Sequence, residues 1–193
     1  MIKALIFLLD TFSRLYLLIL LMRFWLPLLR ANFQNPIVQG VLRYTSPIIV
    51  PIRRFVSPIG RLDTATILIA FAIQLMVLLT ISVLANINHE TNPFVALPES
   101  SSILAFALSA LLELAMLNVT LFIVSIIVRV ILNLLGHYFG PIADMLTDFT
   151  EPLIKPIRTV IPPLGIVDLS TYITVILLIS LNIALADLLA GIG

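Results

Sequence analysis

The chain predicts an all-α membrane protein: four transmembrane helices arranged as two parallel repeats, each with a cytoplasmic interfacial amphipathic helix and a proline-rich segment. Three observations carry that prediction. The 193 residues have a mean hydropathy of +1.18, with 61% hydrophobic and 11% charged residues, against about 25% charged in an ordinary soluble domain. Four apolar runs reach the ~20 residues that a helix needs to cross a bilayer. A pattern of proline, arginine and aspartate occurs twice at a constant offset.

The first run extends from Ala4 to about Leu29, and nothing in it marks a cleavage site, so a removable signal peptide is not expected. Asp10 and Arg14, four residues apart within it, share a helix face and can pair. A second run, about 64–85, carries no charge and has Gln74 as its one strongly polar side chain. The third, about 103–135, is roughly 50 Å long as a helix against a core of about 30 Å, so it must tilt, kink or project. Glu113 and Asn118 lie in its outer half. The fourth spans about 170–189. Residues 1–88 thus form a first repeat, 89–102 an outer linker and 103–193 a second repeat.

Basic residues set the expected orientation. Arg30, Arg43, Arg53, Arg54 and Arg61 fall between runs one and two, Lys155 and Arg158 between runs three and four, and none between 86 and 102 or after the last run. Loops 30–63 and 136–168 are therefore expected in the cytoplasm and both termini in the periplasm.

Those loops are copies. Pro36, Thr45, Pro47, Pro51, Arg53, Pro58, Gly60 and Asp63 recur as Pro141, Thr150, Pro152, Pro156, Arg158, Pro163, Gly165 and Asp168, each 105 residues later; Arg23 and Arg129, near the ends of runs one and three, match at 106. A half holding two spans enters the membrane in the same sense as its copy, which makes the repeat parallel. Each loop opens with a proline-initiated amphipathic helix that the next proline is expected to end. Asp144, Thr147, Asp148 and Glu151 form one stripe of the second copy, over Ile142, Met145, Leu146 and Phe149. Arg43 stands where the second copy has Asp148, opposite charges able to pair across the pseudo-axis.

Prolines four apart, Pro47 with Pro51 and Pro152 with Pro156, predict an extended or broken stretch. Two readings fit it: a re-entrant or interfacial hairpin holding Arg53 and Arg158 at headgroup depth, or a stiff connector with positive-inside arginines. Asp63 and Asp168 precede spans, where a carboxylate caps free amides and meets the helix dipole. Arg23 and Arg129 either snorkel to the interface or face the bundle and pair with an acid such as Asp63 or Asp168. Glu113, without a counterpart in the first half, either lines a transport path or rests in the outer interface.

The tandem pattern of an inner-end arginine, then TxPxxxPIR, then Pro-x-Gly-x-x-Asp leading into a span, resembles the YggT (YlmG-related) family of small bacterial membrane proteins, in its two-repeat proteobacterial form. The resemblance covers most of the chain and implies a multi-pass inner-membrane protein tied to extracytoplasmic or osmotic stress. Photosynthetic relatives are linked to cofactor assembly on a membrane cytochrome and to division or nucleoid organisation. The family supplies no catalytic residues to carry over. Thr159 departs from the pattern, standing where the first copy has the second arginine of Arg53-Arg54.

Enzymatic chemistry is not expected. Cysteine is absent, and His89 and His137 lack metal-ligand spacing or a nucleophile partner, so no cofactor or metal is expected either. With 11 Lys+Arg against 10 Asp+Glu there is no basic excess for nucleic acid. Two functional classes remain: an accessory or scaffold protein acting through the bilayer and a membrane-protein partner or further copies of itself, and a small channel or transporter used in osmotic adjustment.

Overall fold

The structure, a computed structural model, describes residues 2–29, 31–56, 62–88, 102–135, 140–160 and 168–192, with the single positions Pro58, Gly60 and Pro98. The described residues form six helices: α1 (Ile2–Leu28), α2 (Pro36–Arg53), α3 (Thr64–Asn88), α4 (Ile103–Leu134), α5 (Pro141–Val160) and α6 (Leu169–Ala190). α1, α3, α4 and α6 are each long and apolar enough to cross a membrane, and they lie within a few residues of the expected runs. Their many exposed apolar side chains, such as Phe12 and Met76, are what a helix presents to lipid tails.

Within each half the two long helices pack on each other, α1 on α3 and α4 on α6; α4 also touches α1 and α3, which joins the halves. α2 packs against α1 and α3, α5 against α4 and α6, and α2 and α5 meet. The best-filled part of the core lies where these short helices enter the bundle. Leu26, Val38 and Phe149 are fully enclosed there, Phe149 stacks on Phe122 at 4.8 Å, and Trp25 meets Phe122 edge-on at 5.0 Å. Trp25 Nε1 also donates to Asn118 Oδ1 at 2.7 Å, a polar link between α1 and α4. A smaller cluster of Ile6, Leu78, Ile81, Phe106 and Ala110 closes the opposite end.

One expectation is overturned. The proline pairs neither end the amphipathic helices nor form an extended or re-entrant stretch: α2 continues through Pro47 and Pro51, and α5 through Pro152 and Pro156. An interior proline costs about 3 kcal/mol because it lacks an N–H and crowds the carbonyl four residues back. The spacing of four limits that cost. Pro51 sits one turn after Pro47, so both rings and both carbonyls they release, of Arg43 and Pro47, lie on one face. All four prolines are exposed, so water can pair with those carbonyls. The opposite face of α2, Val38, Thr45 and Ile49, is fully buried and holds the helix in place.

Hydroxyls just before the first proline also donate to carbonyls of the preceding turn. Ser46 Oγ donates to the Leu42 carbonyl at 2.5 Å and Thr45 Oγ1 to that of Val41 at 2.6 Å. In α5, Thr150 Oγ1 donates to the Leu146 carbonyl at 2.7 Å.

Among the described residues Arg43 and Asp148, whose opposite charges could either pair or be solvated, do not pair. Asp148 instead accepts from the Asn32 amide at 3.3 Å. The N-termini of α2 and α5 are joined by Asn35, whose Oδ1 accepts from the Ile37 amide at 2.9 Å while its Nδ2 donates to the Pro141 carbonyl at 2.6 Å.

Trp25→Phe keeps the ring packing and removes the donor to Asn118. It should cost about 0.6 kcal/mol, the mean for a hydrogen bond between helices in lipid, measured by equilibrium unfolding in mixed micelles; a cost near zero would show that the bond contributes nothing.

Candidate functional site

A guanidinium near the end of an apolar helix must find acceptors, because a charge left unpaired in a low-dielectric setting costs several kcal/mol. Arg23, on α1 and only 4% exposed, finds them on α2. Its Nη1 donates to Thr45 Oγ1 at 2.7 Å, to the Leu42 carbonyl at 3.0 Å and to Ser46 Oγ at 3.1 Å. Its Nε lies 3.7 Å from Asp63 Oδ2, just before α3. Asp63 is held in turn by Arg53, from the last turn of α2, at 2.5 Å. Thr66 Oγ1 donates to the same carboxylate at 2.7 Å. Three charged groups thus fasten α1, α2 and α3 together.

The second half repeats the threonine and aspartate contacts at equivalent positions. Arg129 Nη1 donates to Thr150 Oγ1 at 2.8 Å, Arg158 Nη2 to Asp168 Oδ2 at 2.5 Å, and Thr171 Oγ1 to Asp168 Oδ2 at 3.0 Å. Asp168 also caps α6 by accepting from the Ser170 amide at 3.2 Å. The departure lies at Glu151, which stands where the first half has Ser46. Glu151 takes Arg129 at 2.9 Å and Arg158 at 2.8 Å. Arg129 therefore pairs with Glu151 rather than with Asp168, because a carboxylate one turn closer on α5 replaces the hydroxyl.

The two aspartates keep their charge. Burial works to raise the Asp63 carboxyl, but hydrogen bonds from Arg53 and Thr66 and the charges of Arg53 and Arg23 outweigh it and hold it below the ordinary carboxylate range. For Asp168, burial likewise opposes ionisation, and Arg158, Thr171 and Ser170 bring it down. Arg158 is raised in exchange, chiefly by its hydrogen bond to Asp168.

Gly60, in the turn before α3, has φ of 62° and open space around it, so the left-handed backbone alone explains a glycine there. Gly165, Pro163, His89, His137, Arg30 and Arg61 lie outside the described residues, as does most of the 89–102 linker.

The intramembrane polar residues gather elsewhere. Arg14 Nε donates to Asp10 Oδ1 at 2.8 Å. Gln74, at the middle of α3, donates through Nε2 to Glu113 Oε2 on α4, which sets Glu113 beside the middle of that helix. Asn182 Nδ2, on α6, donates to Thr120 Oγ1 at 3.0 Å and to the Met116 carbonyl at 3.3 Å. Arg14, Gln74, Glu113, Thr120 and Asn182 line one cavity of about 410 Å³ between the four long helices. Asn118 is apart from it, engaged by Trp25.

Sequence reasoning did not single out Thr45, Thr150, Glu151 or Asn182. The two threonines were visible as members of the repeat. Nothing in the pattern indicated that Glu151 bridges two arginines, since it reads equally well as part of a solvated stripe.

The model of the CCB3/YggT family matches residues 2–84 and 101–189, most of both halves. The chain belongs to the CCB3/YggT family. It is similar to the uncharacterized protein in the proC 3′ region of Vibrio alginolyticus, with 32% identity over 186 residues, 96% of this chain and 95% of that one. It is 29% identical over 191 residues to the uncharacterized protein YggT of Escherichia coli K12, covering 99% and 94% of the two chains. An uncharacterized protein of Haemophilus influenzae matches at 26% over 175 residues, 91% of this chain and 87% of its own. No solved structure matches it. Membership of the CCB3/YggT family and the four apolar helices together make this a membrane protein.

Two tests follow from the pins. Asp63→Ala strands Arg23 in the interior and should cost about 3 kcal/mol. Asp168→Ala leaves Arg158 with Glu151 at a half-exposed site and should cost about 1 kcal/mol. Unfolding of the two variants side by side measures the difference, and the reverse ranking would refute this account of the pins. Because both aspartates are held below their unfolded value of about 3.9, their stabilisation is complete above about pH 4. It is lost as pH falls through the lower folded values. Stability measured from pH 7 downward should be level with respect to these groups until about pH 4 and then fall, with a smaller fall in Asp63→Asn.

Proposed function

We propose that the chain is a non-enzymatic accessory protein of the bacterial cell inner membrane, whose α2 and α5 form a paired platform at the cytoplasmic interface that docks and organises a second membrane protein. In this reading loops 30–63 and 136–168 face the cytoplasm and both termini the periplasm. The process served is assembly or protection of a membrane complex under osmotic or extracytoplasmic stress.

The observation that carries the reading is that both short helices are held on the bundle at their middles and C-terminal ends while large apolar groups on and beside them stay outward. Arg23 and Arg129 fix their middles, Arg53 and Arg158 their ends, and Asn35 ties one to the other. Phe55 is 88% exposed, Tyr44 80% and Val160 79%. A rigid base with protruding aromatic groups suits docking, since little ordering entropy remains to be lost on binding.

A second reading, a small channel or transporter, draws on the cavity at mid-depth. It gains nothing from Arg23, which is committed to α2. Flux through reconstituted vesicles that falls in Glu113→Gln would favour it.

The platform is tested by placing a photo-crosslinking residue at Tyr44 or Phe55 in cells at native abundance. One reproducible protein partner at fixed stoichiometry is expected. Crosslinks to lipid or to other copies of this chain alone would overturn the accessory reading.

A further inference from the structure

The cavity between the long helices plays no part in the platform, and its chemistry points to a ligand. About 410 Å³ lies within the range of small-molecule sites, roughly 300–1,000 Å³. Two of its polar groups are engaged within the protein: Arg14 gives its Nε–H to Asp10, and Thr120 donates to the Met116 carbonyl while accepting from Asn182. The other three are half used. Among the described residues, Glu113 has one oxygen on Gln74 and the other without a hydrogen-bond partner, and no cation stands within ion-pair distance of it. Gln74 and Asn182 spend their amide nitrogens, on Glu113 and on α4 respectively, and their amide oxygens have no hydrogen-bond partner among the described residues.

The charge count has the same sign. Arg14 is paired with Asp10, so an ionised Glu113 gives the region one net negative charge. A carboxylate at this depth needs a positive partner or a proton. Three open acceptor oxygens, one of them charged, match a group that has three donors, no acceptor and a positive charge, which is a primary ammonium. A bare metal ion fits less well, because hard cations take six or more oxygen ligands at close range and the space is several times too large. Leu18, Leu117 and Leu189 supply apolar wall for a short hydrocarbon.

We propose that this cavity binds the ammonium group of a small primary amine, with Glu113 as counter-ion and the amide oxygens of Gln74 and Asn182 completing a three-point cradle. The ammonium comes either from a free amine or from the headgroup of an ethanolamine lipid drawn between the helices. The site is independent of the platform, and either can fail alone.

The probe is n-butylammonium, titrated onto the full chain in phosphatidylcholine nanodiscs and followed by saturation-transfer NMR. Saturable binding is expected, with no saturable binding of tetramethylammonium, which has no N–H donor, or of butyrate. Potassium chloride should not displace the amine. Glu113→Gln should weaken binding at least tenfold, as loss of a charge-assisted contact requires. Asn182→Leu, which removes a cradle oxygen without touching the charge, should weaken it several-fold. Both variants are checked for wild-type helicity and elution.

Repeating the titration with phosphatidylethanolamine in the disc separates the sources: competition assigns the site to the lipid ammonium, and unchanged affinity to a free amine. No saturable butylammonium binding by the wild-type chain, equal binding of tetramethylammonium or butyrate, or full affinity in folded Glu113→Gln would overturn the proposal.

Discussion

The architecture depends on two guanidinium groups that sit too deep to be left to water. Arg23 is almost wholly enclosed, and the cost of leaving it unpaired is comparable to much of a small protein's net stability. Its acceptors do not come from its own helix. They come from a threonine, a serine and a carbonyl on α2 and a carboxylate at the start of α3. Satisfying one side chain therefore fixes the position of two further helices, and Arg129 does the equivalent with α5. In a bilayer, where apolar surface gives helices little reason to prefer one another over lipid, polar anchors of this kind supply the specificity that a water-driven core supplies elsewhere.

That dependence explains the proline-containing helices. In isolation a helix of 18 residues with two interior prolines would lose several kcal/mol relative to an alanine chain. α2 persists because its buried face is clamped and its prolines are confined to the exposed face. Thr45 is central, since its hydroxyl serves the helix as donor to Val41 and the anchor as acceptor from Arg23. α5 reuses the device with Thr150, Leu146 and Arg129.

Much of this was legible in the sequence, for identifiable reasons. Long apolar runs admit few structures, so the four long helices and their limits followed from hydropathy. The Asp10–Arg14 pair followed from helical spacing. The prolines misled because their local rule, that they end helices, was applied to each singly; the spacing of four, which stacks the damage on one face, carried the opposite message. The cavity was not legible. It depends on Gln74, Glu113, Thr120 and Asn182 meeting from three different helices, and no periodicity within one helix encodes which residues of another it will face. Glu151 was hidden for a related reason, as a carboxylate on an amphipathic helix looks the same whether it meets water or two arginines.

The exchange of Ser46 for Glu151 reaches further than one contact. Over residues 36–54 the first short helix and its cap carry Arg43, Arg53 and Arg54 with no acid, a net +3; over 141–160 the second carries Asp144, Asp148 and Glu151 against Lys155 and Arg158, a net −1. The face that bears both helices is consequently an in-plane dipole, with about four charges of contrast between its sides. Anionic lipid favours basic residues by about 1 kcal/mol each near the surface, so of the two helices α2 has the stronger electrostatic pull on such lipid. Two like halves with unlike undersides give the molecule a compass bearing in the membrane plane, which a pair of identical single-repeat chains related by a two-fold axis would lack.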